Sequence, residues 1–438
     1  MQNLRSFFTS RKISGLTEDQ SIAYQMFLEG KNILITGQAG TGKSHLVRKI
    51  VNNCERTNRN FAVTAMTGSA AVLINGKTLH SWGNLGIGDK PADYLAEKIL
   101  AAWPKKTKWQ KCKVLIVDEV SMMNANFFEL FEEVARRVRF TTSPFGGIQV
   151  ILLGDFYQLP PVSKMDEDNR FCFESDRWNE VVHEVVVLKE IMRQKDPVFQ
   201  KVLSEVRVNR LSPETINIIN SRVGISPDTS TGIVPTMLYS TKKSVDRINK
   251  TEFDKLPVED VIEYEVSYEI QGERTTKMRE EDFDRYKEIV DKEHNYEKTI
   301  QLCVGAQVML LKNLDQERGM VNGSRGVVIG FDGDFPMVKF LNNEVETINY
   351  HEYAFEVSNV TSIIAKQIPL AHAWCTTIHK SQGQSLDYVK INIGRGIFEF
   401  GQTYVALSRA RTLEGLFIEE FDPSRIKVHP KVHQYFGE

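Results

Sequence analysis

The stretch "NILITGQAGTGKSHLVRKIVNNC", residues 32–54, decides the fold class. Its centre, "GQAGTGKS" at 37–44, matches the phosphate-binding pattern G-x-x-x-x-G-K-[ST]. A β-rich run precedes the pattern, and the apolar residues that follow it recur at helical spacing. A glycine-rich loop between a strand and a helix closes backbone N–H groups around phosphate oxygens. A chance glycine-rich turn would need neither flanking element, so the stretch predicts a nucleotide-binding α/β domain.

The residues of this loop are the candidate nucleotide ligands. Lys43 is expected to reach the β- and γ-phosphates, and Ser44 is expected to ligate Mg²⁺. The complete set is Gly37, Gln38, Ala39, Gly40, Thr41, Gly42, Lys43 and Ser44.

Two later strands end in polar residues that suit the same site. "KVLIVDEV" ends in Asp118, suited to the Mg²⁺ shell, and Glu119, suited to activating the attacking water. "IQVILLGDFYQ" adds Gln158, whose amide can distinguish ATP from ADP through one hydrogen bond. The alternatives are two acids that cap the next helix and a glutamine that serves only a turn. ATP is favoured because the guanine signature N-K-x-D is missing.

Composition sets wider limits. The 438 residues are 41% hydrophobic and 26% charged, and the formal net charge is 55 minus 57, or −2. No global basic charge indicates nucleic acid, although a local basic groove would be enough. No apolar run approaches membrane-spanning length, so no membrane partner is expected. Wide spacing favours reduced, mostly buried thiols of an intracellular protein, without zinc or iron–sulfur sites, at Cys54, Cys112, Cys172, Cys303 and Cys375.

Alternating β-rich and helical patterns predict an α/β protein with two parallel-sheet domains. A charge-dense segment and short glycine-broken strands predict a solvated helix and a small β-barrel inserted in the second domain. The expected division is a flexible tail at 1–14, a first domain at 15–186 with a minor insertion near 86–110, a second domain at 187–253 and 354–438, and the inserted segment and barrel at 254–353.

Several motifs, taken in order, resemble the PIF helicases, RecD-like members of helicase superfamily one. They are "GQAGTGKS", "DEVSM", "GDFYQLPPV", the marker stretch "EIMRQKDPVFQKVLSEVRVNR" (190–210), "IHKSQGQSLD" and "YVALSRAR". The resemblance covers residues 15–430. It implies two RecA-like motor domains, ATP-driven 5′-to-3′ translocation on single-stranded DNA, duplex unwinding and, often, G-quadruplex unfolding.

The resemblance also assigns roles around ATP. Arg193 and Arg409 resemble two arginines that reach the γ-phosphate from the second motor domain, and Gln382 resembles the residue that couples DNA contacts to ATP. Gln20 resembles the adenine-reading residue of the family. The alternative for Gln20 is a capping box with Thr17, and both roles could hold. The helix that follows Asp196 is interpreted as packing.

For DNA, the resemblance implies contacts in both motor domains and in the barrel. The residues are Thr67, Gly68, His80, Ser81, Trp82, Asn322, Arg325, His379, Lys380 and Ser381. Trp82 has the alternative of a core aromatic. The basic run at 103–113 is interpreted as a solvated helix end, with a DNA patch as the alternative. Asn84 and Asn209 stand where the family has glycine, and asparagine should keep a positive φ at both turns.

The N-terminal tail lies outside the resemblance. Leu4, Phe7 and Phe8 have the spacing of a clamp-binding box, which would place the protein at replication forks with a sliding clamp. The leading glutamine of that box is missing. The alternatives are a disordered tail and a short mitochondrial presequence.

The combined prediction is an intracellular, monomeric, ATP- and Mg²⁺-dependent DNA helicase. Its expected partners are single-stranded DNA, forked or tailed duplexes and G-quadruplexes, in replication, repair or recombination. The expected compartment is the nucleus in a eukaryote or virus and the cytoplasm in a prokaryote. The rival classes are an ATP-gated DNA-binding switch that does not walk, and a P-loop kinase or clamp-loader-type ATPase.

Overall fold

The chain forms two compact units, Met1–Val208 together with Val428–Glu438, and Asn209–Lys427. The computed structural model describes residues 13–437 except 87, 162–169, 228–233, 258–259, 273–279, 295, 316 and 359–360. The clamp-box residues Leu4, Phe7 and Phe8 lie outside the described residues.

A six-stranded parallel sheet forms the centre of the first unit. Its strands are β1 (Ile33–Gly37), β2 (Phe61–Ala65), β3 (Lys77–Thr78), β4 (Val114–Asp118), β5 (Gln149–Gly154) and β6 (Glu184–Leu188). They lie in the order β3-β2-β4-β5-β1-β6. The fourth strand is central, with Ile116 opposite Val63 on one side and Ile151 on the other. The predicted parallel sheet is confirmed, and its carboxyl ends share one edge.

Helices cover both faces of this sheet. They are α1 (Glu18–Leu28), α2 (Lys43–Arg56), α3 (Gly68–Leu73), α4 (Leu79–Gly83), α5 (Ala92–Ala101), α6 (Trp103–Lys111), α7 (Ala125–Arg139), α8 (Trp178–Val181) and α9 (Pro197–Arg207). Strand alternation splits the core, because Ile33 and Ile35 of β1 join one hydrophobic cluster while Leu34 joins another. Helices α5 and α6 lie within 86–110 or directly beside it, where a minor insertion is predicted, and Trp109 of α6 is buried while Trp103 is 70% exposed.

The marker stretch contains α9. Asp196 caps this helix by accepting from the N–H of Val198 at 2.8 Å, and the apolar side chains Phe199, Val202, Leu203 and Val206 are buried. Packing is therefore confirmed for the apolar face. The helix belongs to the first compact unit, which extends through Val208, beyond the predicted boundary at 186. The physical reason is a set of contacts between 192–207 and the phosphate loop and β5 turn, given below.

The second unit is built on a four-stranded parallel sheet and a set of antiparallel sheets. Its helices are α10 (Pro213–Asn220), α11 (Lys242–Phe253), α12 (Glu280–Glu293) and α13 (Gln402–Leu407). Its strands are β7 (Thr236–Tyr239), β8 (Ile262–Glu265), β9 (Ser267–Gly272), β10 (Thr299–Leu302), β11 (Gln307–Leu310), β12 (Arg325–Asp332), β13 (Phe335–Phe340), β14 (Val345–Thr347), β15 (His351–Ser358), β16 (Thr361–Gln367), β17 (Leu370–His372), β18 (Cys375–Thr377), β19 (Val389–Ile393) and β20 (Leu416–Phe421).

The parallel strands lie in the order β18-β7-β19-β20, as predicted for a second parallel-sheet domain. The strands of the predicted inserted segment 254–353 lie in sheets β14-β13-β12-β11-β17, β15-β16-β9 and β10-β8, which also include β16 and β17 from the chain that follows it. Strands β8 and β9 were not expected in a segment interpreted as a solvated helix. The predicted helix is present as α12, and its apolar residues Phe283, Tyr286 and Val290 pack in a small cluster with strand residues.

The chain returns to the first unit through α14 (Pro430–Phe436). Val432 is fully buried in the first unit's core, and the ring of Tyr435 stacks on Phe173 with centroids 4.3 Å apart. Phe436 stacks on Tyr157 at 5.7 Å. All five cysteines are buried, as expected. Across the described ranges, no helix combines the length and the apolar character needed to cross a membrane.

Candidate active site and nucleic-acid interface

The phosphate loop joins β1 to α2 as its motif predicts. Lys43, the first residue of α2, donates from Nζ to the carbonyl oxygens of Gly37 at 2.6 Å and Gln38 at 3.2 Å. Gly42 has a φ of +81°, and a Cβ there would lie 2.5 Å from the Gln20 amide nitrogen. Glycine is therefore required at this position. Ser44 is exposed in the first turn of α2.

The charges of three carboxylates act on the Lys43 ammonium. Desolvation lowers the pKa of the Lys43 ammonium, while Asp155, Glu119 and Asp118 act in the opposite direction. Of the three acids, Asp155 has the largest effect. The carboxyl ends of β4 and β5 thus bring acids next to the phosphate loop, as expected at this edge of a parallel sheet.

Asp118 and Glu119 are buried together at the end of β4, each 8% exposed. Burial and the neighbouring Glu119 raise the pKa of the Asp118 carboxyl to about 7. Asp118 accepts from the Glu119 N–H at 2.8 Å, and Glu119 adopts a left-handed backbone with φ +54°. A non-glycine residue in this conformation is strained, and such strain clusters at functional sites. The carboxylate of Asp118 and the exposed hydroxyl of Ser44 are oxygen donors of the kind that Mg²⁺ prefers.

The turn after β5 carries Asp155 and Gln158. Asp155 is fully buried, and its backbone carbonyl accepts from the Gln158 N–H at 2.9 Å. The Gln158 amide oxygen is buried and has no hydrogen-bond partner among the described residues. Sequence reasoning named Gln158 as a candidate and did not name Asp155, although an acid directly after a buried strand is a signal of the same kind as Asp118.

Residues 192 and 193 lie against the phosphate loop. The backbone N–H groups of Met192 and Arg193 donate to the carbonyl oxygen of Gly40 at 2.8 Å and 3.2 Å. A Cβ on Gly40 would lie 2.7 Å from Cβ of Arg193. Arg193 was expected to come from the second motor domain. The structure instead places it in the first compact unit, because its backbone bonds to the loop.

Gln20 forms a capping box with Thr17, which is the alternative role predicted for it. It accepts from the Thr17 N–H at 3.1 Å, and the Thr17 hydroxyl accepts from the Gln20 N–H at 3.3 Å. Its amide nitrogen donates to the Thr41 carbonyl at 3.1 Å. Gln20 therefore supports the phosphate loop from α1.

In the second unit, Arg409 holds its neighbours together. It is 1% exposed and follows α13. Its guanidinium donates to Val405 O at 2.9 Å, to Ser381 O at 3.2 Å and to Gln384 O at 3.0 Å. These bonds join α13 to the segment that contains the predicted DNA contacts and Gln382, itself 3% exposed.

The predicted DNA contacts of the second unit differ in accessibility. Lys380 is exposed, with Nζ 3.8 Å from a Glu297 carboxylate oxygen, whereas Ser381 is fully buried. Burial lowers the pKa of the His379 imidazole. Asn322 and Arg325 are each only 6% exposed. In this conformation neither side chain is open to a DNA phosphate.

The Arg325 guanidinium donates to the Val234 carbonyl at 3.1 Å. Burial lowers its pKa to about 9. Both side-chain amide atoms of Asn322 are buried without a hydrogen-bond partner among the described residues. Asn322 and Arg325 thus lie inside the antiparallel part of the second unit, and their DNA contacts stay predictions.

In the first unit, Thr67 caps α3 by accepting from the Ala70 N–H at 3.2 Å, and Gly68 begins that helix. His80 stacks on Phe127 with centroids 4.3 Å apart, and Ser81 follows it in α4. Trp82 is 6% exposed and packs 4.9 Å from Trp109. Its burial supports the alternative of a core aromatic, because a base cannot reach a ring that other rings cover.

Both asparagines at family glycine positions have the predicted backbone. Asn84 has φ +56° and Asn209 has φ +53°. The substitutions therefore keep the turns.

The chain is similar to known helicases in both sequence and structure. The family model described as PIF1-like helicase matches residues 15–212, and the model described as DNA helicase Pif1, 2B domain, matches residues 286–331. The crystal structure of Pif1 helicase from Candida albicans is 34% identical, with a TM-score of 0.81 over 96% of this chain and 99% of that chain. The chain belongs to the PIF1-like helicase family. This match also confirms the predicted α/β fold class with RecA-like sheets.

Two further PIF1 relatives extend the comparison. The ATP-dependent DNA helicase PIF1 of Danio rerio is 40% identical over 423 residues, which is 95% of this chain and 63% of that protein. The chain therefore spans less than two thirds of this relative's length. A crystal structure of Pif1 helicase from Bacteroides in complex with ADP-AlF3 and single-stranded DNA is 27% identical, with a TM-score of 0.68 and 96% of each chain covered.

Proposed function

We propose that this chain is an ATP-dependent DNA helicase that translocates 5′-to-3′ along single-stranded DNA and unwinds tailed or forked duplexes. The observation that carries the proposal is the convergence of the acids Asp118, Glu119 and Asp155 on Lys43 of the phosphate loop, in a chain of this family. Relatives named ATP-dependent DNA helicase and a Pif1 complex with ADP-AlF3 and single-stranded DNA support the same activity.

ATP hydrolysis follows from the roles of these side chains. Lys43 leaves its carbonyl partners for the β- and γ-phosphates, which the loop's N–H groups also hold. Ser44 and Asp118 would hold Mg²⁺, which neutralises phosphate charge when it is bound. Glu119 orients the attacking water and accepts its proton. The buried, unpartnered amide oxygen of Gln158 gives the site a group that responds to the γ-phosphate.

DNA contacts are proposed at Thr67, Gly68, His80 and Ser81 of the first unit and at His379 and Lys380 of the second. An exposed lysine and short hydroxyl side chains track phosphates without reading sequence, as single-strand binders require. Arg193, Gln382 and Arg409 are proposed to link this surface to ATP. We also propose that the helicase acts on genomic DNA, that its substrates include G-quadruplexes, and that a sliding clamp is among its partners.

The test measures the ATPase rate with and without single-stranded DNA. The same protein is assayed for unwinding of 5′-tailed and 3′-tailed duplexes. We expect DNA to stimulate hydrolysis and only the 5′-tailed duplex to open. Glu119→Gln keeps the shape of the side chain and loses the base, so it should bind ATP and DNA but lose about 10²-fold or more in rate. Stimulated hydrolysis without unwinding would establish the rival, a DNA-binding switch. An ATPase rate indifferent to DNA would refute both.

A further inference from the structure

We infer that Arg207 is a positioning residue for ATP hydrolysis, acting through Asp155 on Gln158 and Lys43. The inference rests on the proposed ATPase function. Arg207 is the last residue of α9, the helix of the marker stretch, whose apolar face packs in the protein interior. Its polar face makes contacts that packing does not need.

The first observation is a buried ion pair. Arg207 donates to the Asp155 carboxylate from Nε at 3.1 Å and from a terminal nitrogen at 2.9 Å. The Asp155 side chain is 0% exposed and that of Arg207 is 13% exposed. Two parallel N–H···O bonds fix the plane of the carboxylate as well as its charge. A lysine could supply the charge but not the plane.

The second observation is what Asp155 holds. Its carboxylate accepts from the Tyr157 N–H at 3.2 Å and its carbonyl accepts from the Gln158 N–H at 2.9 Å. The Arg207 guanidinium also lies 4.1 Å from the centre of the Tyr157 ring. Arg207 therefore contacts the turn that carries Gln158 at two places, the Asp155 carboxylate and the Tyr157 ring.

The third observation is a contact from the same helix to the phosphate loop. The Ser204 hydroxyl donates to the Gln38 side-chain oxygen at 3.0 Å. Ser204 and Arg207 are three residues apart, so they lie on one face of α9. One rigid helix thus touches both the loop that binds phosphate and the turn that carries Gln158. Its rigidity fixes the distance between them.

The charges explain why Arg207 matters to Lys43. Asp155 is the strongest acidic neighbour of Lys43, and Arg207 is a cation beside that acid. With Arg207 present, the Asp155 carboxylate is directed towards α9. Without it, the buried carboxylate would turn to the Lys43 ammonium and compete with the phosphates for that cation. A displacement of about 1 Å at such a site costs about 10²-fold in rate.

The experiment measures DNA-stimulated kcat and KM for ATP in wild type, Arg207→Gln, Arg207→Lys, Asp155→Asn and the Arg207→Gln/Asp155→Asn double variant. We expect Arg207→Gln to raise KM for ATP and to lower kcat/KM by about 10²-fold. Arg207→Lys should recover part of this loss. The double variant should be no worse than the more damaged single variant, because both changes interrupt one route.

Arg177→Gln is the matched control. Arg177 also pairs with a fully buried carboxylate of the first unit, that of Glu132, at 2.9 Å. The Arg177→Gln change should lower the melting temperature and leave kcat/KM unchanged below that temperature. Losses that multiply in the double variant, or kcat/KM within twofold of wild type in Arg207→Gln or Asp155→Asn, would overturn the inference. Should Arg207→Gln fail to fold, Arg207→Lys and Asp155→Asn decide alone. A wild-type chain without ATPase activity would instead refute the proposed function itself.

Discussion

Two cations of the second unit, Lys380 and Arg325, were both predicted to contact DNA phosphates, and they differ in exposure. Lys380 is exposed, whereas Arg325 is 6% exposed and donates to a backbone carbonyl. Sequence motifs give the order of such residues along the chain but not the depth at which each side chain lies. That depth depends on how β12 pairs with its neighbours, which no local pattern encodes.

The first prediction separates the two cations. Lys380→Ala should weaken single-strand binding for all sequences alike, and the slope of log K against log salt should shrink by about 0.7. Arg325→Met should leave that slope unchanged, because a buried guanidinium releases no counterion from the DNA. Fluorescence anisotropy over a salt series provides the measurement. A reduced slope for Arg325→Met would place Arg325 on the DNA.

A second prediction concerns His80 and pH. Burial lowers the pKa of His80 below its ordinary 6.5, so the unfolded chain binds the proton first as pH falls. Its contribution to stability is present above pH 6.5 and is lost as pH falls through the folded-state value. His80→Phe keeps the stacking with Phe127 and removes the proton. The melting temperature of this variant relative to wild type should therefore be higher at pH 5 than at pH 8. A difference that is constant with pH would mean that His80 protonates equally in both states.

At the scale of elements, the α/β alternation of the first unit followed from sequence because buried parallel strands are short, continuous apolar runs. Strands β8 and β9 escaped the same reasoning. Exposed residues separate the buried or partly buried ones along both strands, and their charges suggest a solvated segment when the partner strand is not known. Pairing of β9 with β16 is a long-range contact across residues 267–366, so composition alone could not reveal it.

Helix α14 also lay beyond sequence reasoning, because its apolar residues are covered by the first unit rather than by neighbours in sequence. Val432→Ala should destabilise that unit by about 2 kcal/mol, the transfer free energy of the lost carbons plus a small cavity. The first thermal transition should fall by roughly 4–8 °C. Val304→Ala, at a 51% exposed position, is the matched control and should change little. Equal effects of the two variants would argue against docking of α14.

At the scale of the whole molecule, the first unit is assembled from two stretches of chain separated by all of the second unit. The predicted boundaries missed this, since a boundary inferred from motifs follows the order of the sequence. Parallel sheets and their strand ends were predictable, whereas the return of 428–438 and the docking of 187–208 depend on tertiary contacts. The roles of Asp155 and Arg207 became visible only through these contacts.

Cutting the chain after Lys427 tests this assembly. The cut uncovers the rings of Phe156, Tyr157 and Phe173, which α14 rings contact. The shortened protein should bind a hydrophobic dye and melt earlier, as differential scanning fluorimetry would show. A melting curve unchanged from the full chain would contradict a structural role for residues 428–438.

The return of the chain has a consequence for biosynthesis. Val428 is translated 220 positions after Val208 (428 minus 208). At about 5–20 residues per second, the ribosome needs roughly 10 to 45 s to cover that interval. The nascent first unit emerges with its aromatic docking surface uncovered for all of that time. A chaperone that shields exposed rings on the ribosome would therefore matter more for the yield of this protein than for a protein whose domains are sequential.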